Sequence, residues 1–285
     1  MRDRMFPRWG AALAALFPLS EILYVPVTGQ TMYAAALACL LCALVCAGAA
    51  RLAPHWQRSR ILQWVLALAA LWPLAQSLAR MGIFLRETVF RTRPLWTLLL
   101  LLAVCTLLAA ATGLNRCAMW ALPVAWLAGA VIVLSGVLTI SQLDLTYWQA
   151  PDASLPGQTL DILRALLPAA LIVSLALPAG QAAAVSRGLA AGGALFALIS
   201  LRAALLLGVH TAALLPYPNF SAAGLAAVGD FARHGEVFFA VPLLLCELGR
   251  CAALACVLLL PVTRTYGVPR LHLRTLPEGK QKKPR

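Results

Sequence analysis

Glu247 and Arg250 stand three residues apart inside a long apolar run, residues 237–262. Side chains at i and i+3 share one face of a helix, so the carboxylate and the guanidinium are placed to point the same way. An ionisable group at the bilayer centre costs roughly 2.5–3.5 kcal/mol on insertion scales and is retained where it faces a cavity or a partner. Arg250 is suited to receive a ligand carboxylate through two parallel N–H donors. Arg202, in the preceding run, is the expected cross-helix partner for Glu247. A purely structural ion pair is the alternative use of the same charges.

A second stretch of this kind opens the chain. Phe17-Pro18-Leu19-Ser20-Glu21 puts a proline and an acid inside an apolar run, with Pro26 and Gly29 following. Proline removes a donor and clashes with the carbonyl four residues back, so the turn kinks or opens. Broken helices in transporters expose backbone to a substrate cavity. Ser20 and Glu21 are then placed to bind a cation or the ammonium of an amino acid; a kinked helix without a ligand is the alternative. Pro168 and Pro178 bracket Ser174 in the same manner, and Gln76 follows Trp72-Pro73. Cys39, Cys42 and Cys46 share a helix face, but no histidine accompanies them, so they read as small apolar packing residues and no metal is expected. No paired acidic metal motif, His-Glu-x-x-His or glycine-rich phosphate loop is present. The expectation is a protein that is not an enzyme and carries no cofactor.

These residues must be positioned by helices in a bilayer. The chain has 285 residues, is 62% hydrophobic and only 12% charged, which describes an α-helical multi-spanning membrane protein. The net charge of +13 reads as loop lysines and arginines facing anionic lipid. No basic stripe interleaved with aromatics is present, so nucleic acid is not an expected partner. Eight apolar segments are long enough to span: 9–27, 31–52, 61–85, 94–113, 117–140, 160–180, 188–215 and 237–262. The basic start resembles a signal peptide, but Pro18, Glu21 and Pro26 interrupt its run, and it reads as a retained first helix. With the N-terminus inside, most lysines and arginines fall on the cytoplasmic side and both termini are cytoplasmic. Arg80 to Arg93 is the exception, and reads as a surface amphipathic helix or vestibule. Residues 1–262 form one polytopic transmembrane domain and residues 263–285 a basic cytoplasmic tail.

The order of motifs resembles that of the B subunits of bacterial spore germinant receptors, the GerAB-type spore germination proteins of the amino acid/polyamine/organocation transporter superfamily. Tyr217-Pro218, Gly229-Asp230-Phe231, Glu236 and Arg250 follow the family's pattern, as do Pro94-Leu95-Trp96, Gly113-Leu114, Pro123 and the connection from Leu143-Asp144-Leu145 to Pro151. The similarity covers about residues 10–262. Departures are Ala232, Arg233 and His234 after the Gly-Asp-Phe motif, and Leu243 where the family has a tryptophan. The resemblance implies a LeuT-like fold of inverted repeats, here truncated after the eighth helix. It implies a subunit in the bacterial cell membrane or spore inner membrane that binds a small nutrient germinant, usually an amino acid. Its partners would be an A-type membrane subunit and a C-type lipoprotein. The ligand-binding residues it points to are Ser20, Glu21, Gln76, Ser174 and Glu247, beside Arg250. An ion-coupled amino acid permease and a structural paralogue without a ligand are the competing expectations.

Overall fold

A computed structural model describes residues 5–147, 154–178, 180–225 and 235–266, and every regular element among them is helical. The helices are α1 (Pro7–Glu21), α2 (Thr31–Arg58), α3 (Arg60–Thr88), α4 (Leu95–Ala111), α5 (Leu114–Leu138), α6 (Leu155–Ala176), α7 (Ala182–Leu207), α8 (Val209–Leu214), α9 (Pro218–Gly224) and α10 (Gly235–Tyr266), with two short 3₁₀ turns between α5 and α6. The Gly229-Asp230-Phe231 motif, Arg233-His234, Pro151 and the tail beyond residue 266 lie outside the described residues.

Among the described residues, six helices are long and apolar enough to cross a membrane: α2, α3, α5, α6, α7 and α10. The shortest of them, with 22 residues, is about 33 Å long, against a hydrocarbon core of about 30 Å. The described residues are thus all-helical, and their six long apolar helices mark a membrane-embedded chain. All eight expected apolar segments contain a helix, but two are short: α1 has 15 residues and α4 has 17. Segment 9–27 stops being helical at Glu21, because Pro26 and the turns before it carry the chain away. Segment 188–215 breaks at Gly208, whose φ of +74° suits a residue without Cβ. Of the two readings of Arg80–Arg93, surface helix or vestibule, the separate surface helix is corrected: α3 runs unbroken to Thr88, so Arg80 belongs to a membrane-crossing helix.

The short α1 occupies the middle of the bundle. Ten of its residues, from Gly10 to Glu21, are buried. It packs chiefly on α7, then on α5 and α10, while α2 lies against α6 and α7, and α10 against α3 and α5. In a bilayer, helices associate through close packing of small residues rather than through a hydrophobic drive. Here Gly188 and Gly192 of α7 meet α1, and Gly193 meets α2. A Cβ at Gly188 would run into the Ala11 carbonyl; one at Gly192 would lie 2.7 Å from Pro18 Cγ and 2.8 Å from Ala15 O. This glycine face lets the backbones of α1 and α7 touch along the stretch that leads to Glu21.

Replacing Gly188 with Leu is expected to destabilise the purified protein by at least about 1–3 kcal/mol, the usual cost of overpacking. Gly48, inside α2 with open space at its Cβ position, is the control: Gly48→Leu should not lower the thermal unfolding midpoint in detergent.

Candidate functional site: a buried ion cluster beneath a cavity

Glu21 is the last residue of α1 and has no exposed surface. A carboxylate at a helix C-terminus adds to the negative end of the helix dipole. This one therefore needs cations, and two arginines supply them. Arg80 of α3 donates from Nη1 to Glu21 Oε2 at 2.8 Å and from Nη2 to Oε1 at 2.9 Å, a bidentate pair. Arg250 of α10 donates from Nη1 to Glu21 Oε1 as well, and to Ser20 Oγ at 3.3 Å. Its Nη2 donates to the carbonyl of Ala165 at 3.0 Å, on α6. The Ser20 hydroxyl in turn donates to Phe17 O at 2.8 Å.

The rest of the cluster is less well matched. Glu247 is fully buried and lies 3.7 Å from Arg250 Nη1, with no hydrogen bond to either of its oxygens. The Ser77 and Tyr24 hydroxyls and the Nε atoms of Arg80 and Arg250 are also buried without a hydrogen-bond partner. Two carboxylates and two guanidiniums cancel in charge, which makes their burial tolerable. Aromatic faces complete the shell. Tyr24 lies under Arg80, 5.1 Å from guanidinium to ring centre, and Phe17 under Arg250 at 5.9 Å. The edge of Tyr24 meets Phe84, which also packs edge-on against Tyr217 and Phe220.

Above the cluster is a cavity of about 210 Å³, lined by Glu21, Tyr24, Thr31, Arg80, Gln158 and Asp161 among others. Arg80 forms the boundary: its side chain keeps 22% exposure, against none for Glu21 and 1% for Arg250. Gln158 donates to Thr28 Oγ1 at 2.5 Å and leaves its own oxygen unpartnered. Asp161 is exposed and loosely paired with Arg164 at 3.8 Å. The wall thus brings together donors, Arg80 and Tyr24, and acceptors, Gln158 and Asp161. That arrangement suits a small dipolar ligand. Among the described residues no group of three or more histidine, cysteine or acidic side chains is placed to hold a metal.

Of the residues expected from sequence, Ser20, Glu21, Glu247 and Arg250 come together. Gln76 does not: it lies on the exposed face of α3. Ser174 is buried lower in α6, donates to Ala170 O at 2.6 Å, and lines a small separate pocket with Leu13 and Phe17. The expected Arg202–Glu247 pair is corrected. Arg202 instead donates to Thr139 Oγ1 at 2.8 Å and Ala222 O at 3.2 Å, because its place on α7 faces α5 and α9. Arg80, Tyr24, Thr31 and Gln158 escaped the sequence reading. Arg80 had a signal: Pro73, Ser77, Arg80 and Phe84 recur at helical spacing, and the other three are buried. Its grouping with the following arginines concealed it. Comparison with protein-family models and with curated proteins finds no match.

Glu21→Gln is expected to cost about 3–5 kcal/mol, since it leaves two buried guanidiniums without their carboxylate. Chemical or thermal unfolding in detergent checks this, and Gln76→Ala should cost less than about 0.5 kcal/mol.

Proposed function

We propose that this chain is a germinant-receptor subunit of the B type, which binds a small nutrient in the membrane and passes a conformational bias to partner subunits. The observation that carries the reading is the polar cavity at the end of the broken first helix, floored by Glu21 and Arg80. Its volume of about 210 Å³ falls below the range of about 300–1,000 Å³ typical of pockets for drug-sized ligands. An amino acid is of the right size. Its carboxylate would meet Arg80 and Tyr24, and its ammonium Asp161 and the Gln158 oxygen. The order of motifs in the sequence supports the family side of the proposal. With it come the finer expectations: eight spans in a truncated LeuT-like arrangement, cytoplasmic termini, and a place in the bacterial cell membrane or spore inner membrane. The partners would be an A-type membrane subunit and a C-type lipoprotein. The protein acts by binding, not by catalysis. A ligand shifts such an equilibrium only through unequal affinity for two states. The Glu21 cluster joins α1, α3, α6 and α10, so a ligand that competes for Arg80 would loosen all four together.

One observation favours a second reading, ion-coupled transport of the same ligand: Glu247 is a buried carboxylate with no hydrogen bond to stabilise its charge. Gradient-driven amino acid uptake into liposomes supports this reading, and its absence alongside ligand binding supports the receptor.

Screening amino acids against the purified protein by thermal shift tests the proposal. A ligand at a hundred times its Kd is expected to stabilise by roughly 2.7 kcal/mol. Gln158→Leu should abolish that gain, while loss of its hydrogen bond to Thr28 costs the unliganded protein only about 0.5–1.5 kcal/mol. No stabilisation by any amino acid, together with unchanged germination on deletion of the gene, contradicts it.

A further inference from the structure

Cys117 and Cys256 form a second reactive feature, at a cavity separate from the one beside Glu21. Cys117 lies in the first turn of α5; Cys256 lies six residues beyond Arg250 on α10, about 9 Å along the helix. Their Sγ atoms are 3.6 Å apart. Cys117 also contacts the carbonyl of Ala109 at 3.5 Å, and Cys256 that of Ala110 at 3.4 Å, so the end of α4 holds both thiols in register. A disulfide needs the sulfurs at roughly 2.05 Å, an approach of about 1.6 Å from where they stand. All eight cysteines are in the thiol form.

Access distinguishes this pair. Cys117 lines a cavity of about 290 Å³ between α1, α4, α5 and α10, whose other walls include Leu16, Trp120, Val124 and Leu248. Apart from the thiol, Thr112 brings the only hydroxyl to that wall. The outer rim is lipid-facing: Trp120 is 68% exposed. Cys42 and Cys46 offer a contrast. They are 3.8 Å apart, but both sit buried on one helix and line neither this cavity nor the one beside Glu21.

We propose that Cys117 and Cys256 are a lipid-accessible dithiol, oxidised to a disulfide by a membrane-soluble quinone that enters this apolar cavity. A planar apolar oxidant suits walls that exclude water. The Cys117 sulfur adds to the quinone ring. The Cys256 sulfur then attacks Cys117 Sγ, the new carbon–sulfur bond breaks, and its electron pair passes to the ring. Two S–H bonds are lost and one S–S bond forms. The two protons and two electrons reduce the quinone to hydroquinone. The product ties α5 to α10, the helix that carries Glu247 and Arg250.

The full-length protein in lipid vesicles, treated with tetramethyl-p-benzoquinone, tests this. The four ring carbons carry no hydrogen, so the Cys117 adduct cannot lose one and settle as a stable aryl thioether; it either reverts or is displaced by Cys256. The count of maleimide-reactive thiols after denaturation is expected to fall by two, and peptide mapping to find Cys117 joined to Cys256. Cys117→Ala and Cys256→Ala, each with its unfolding midpoint measured to show that it folds, should lose no thiols. An unchanged count in the wild type overturns the proposal. So does closure of another pair such as Cys42–Cys46, or an equal loss of two thiols in either variant. Hydroquinone released in a one-to-one ratio with the disulfide is the matching product. Failure here leaves the nutrient-binding reading untouched, because that cavity contains no cysteine.

Discussion

The bundle depends on one carboxylate. Glu21 ends α1 within the described helical core, where its own charge and the helix dipole point the same way. Two guanidiniums from different helices offset both. Arg80 approaches from α3 in a planar two-bond fork; Arg250 approaches from α10 and extends its second arm to α6. Three helices thereby meet at a single side chain, and Arg250 extends the link to α6. Without those cations, an ionised acid in an apolar layer would cost several kcal/mol. Without the acid, the arginines would carry that cost instead. The interaction is therefore better seen as a constraint on geometry than as a surplus of stability, since a buried pair often barely repays its desolvation.

Other features follow from that constraint. To reach Arg80 and Arg250, α1 must stop short and be held against α7 at backbone contact, which Gly188 and Gly192 permit. Ending α1 at Glu21 frees residues 22–27 to line the cavity with Tyr24, Val25 and Pro26. Asn219 of α9 then donates to the Ile22 carbonyl at 2.6 Å, supplying a partner that a continuing helix would have provided. Gln57 does the same for α6, donating to the carbonyls of Leu175 and Leu177 where Pro178 ends the helix. Irregular backbone inside a bilayer is sustained only by such substitutes. Outside the spans, burial and the nearby Glu87 carboxylate push the Tyr217 phenol well above its ordinary range, while its hydroxyl donates to Glu87 at 2.8 Å.

Much of this could be read from residue types alone. Apolar length marked the helices, and a proline beside an acid marked the broken first one. The pairing i, i+3 put Glu247 and Arg250 on one face. What sequence could not supply is which helices meet. Arg202 and Arg80 illustrate the two ways this fails. Arg202 sits in an apolar run, and its type suggested an acidic partner, yet α7 presents it to hydroxyl and carbonyl oxygens. Arg80 sits among other arginines and looked solvated, yet the continuation of α3 carries it to Glu21. Gln76 and Ser77 are adjacent in sequence but a helix turns them to opposite sides, so the polar type that drew notice was the exposed one. Long-range pairing is a property of packing, and no local pattern encodes it.

A double-mutant cycle on Glu21 and Arg80, read as unfolding free energies in detergent, tests the dependence on this carboxylate. If Glu21 holds the bundle through its guanidiniums, the pair Glu21→Gln/Arg80→Gln is less destabilised than the sum of the singles, by about 0.5–3 kcal/mol. Strict additivity, within the few tenths of a kcal/mol seen for independent sites, would contradict it.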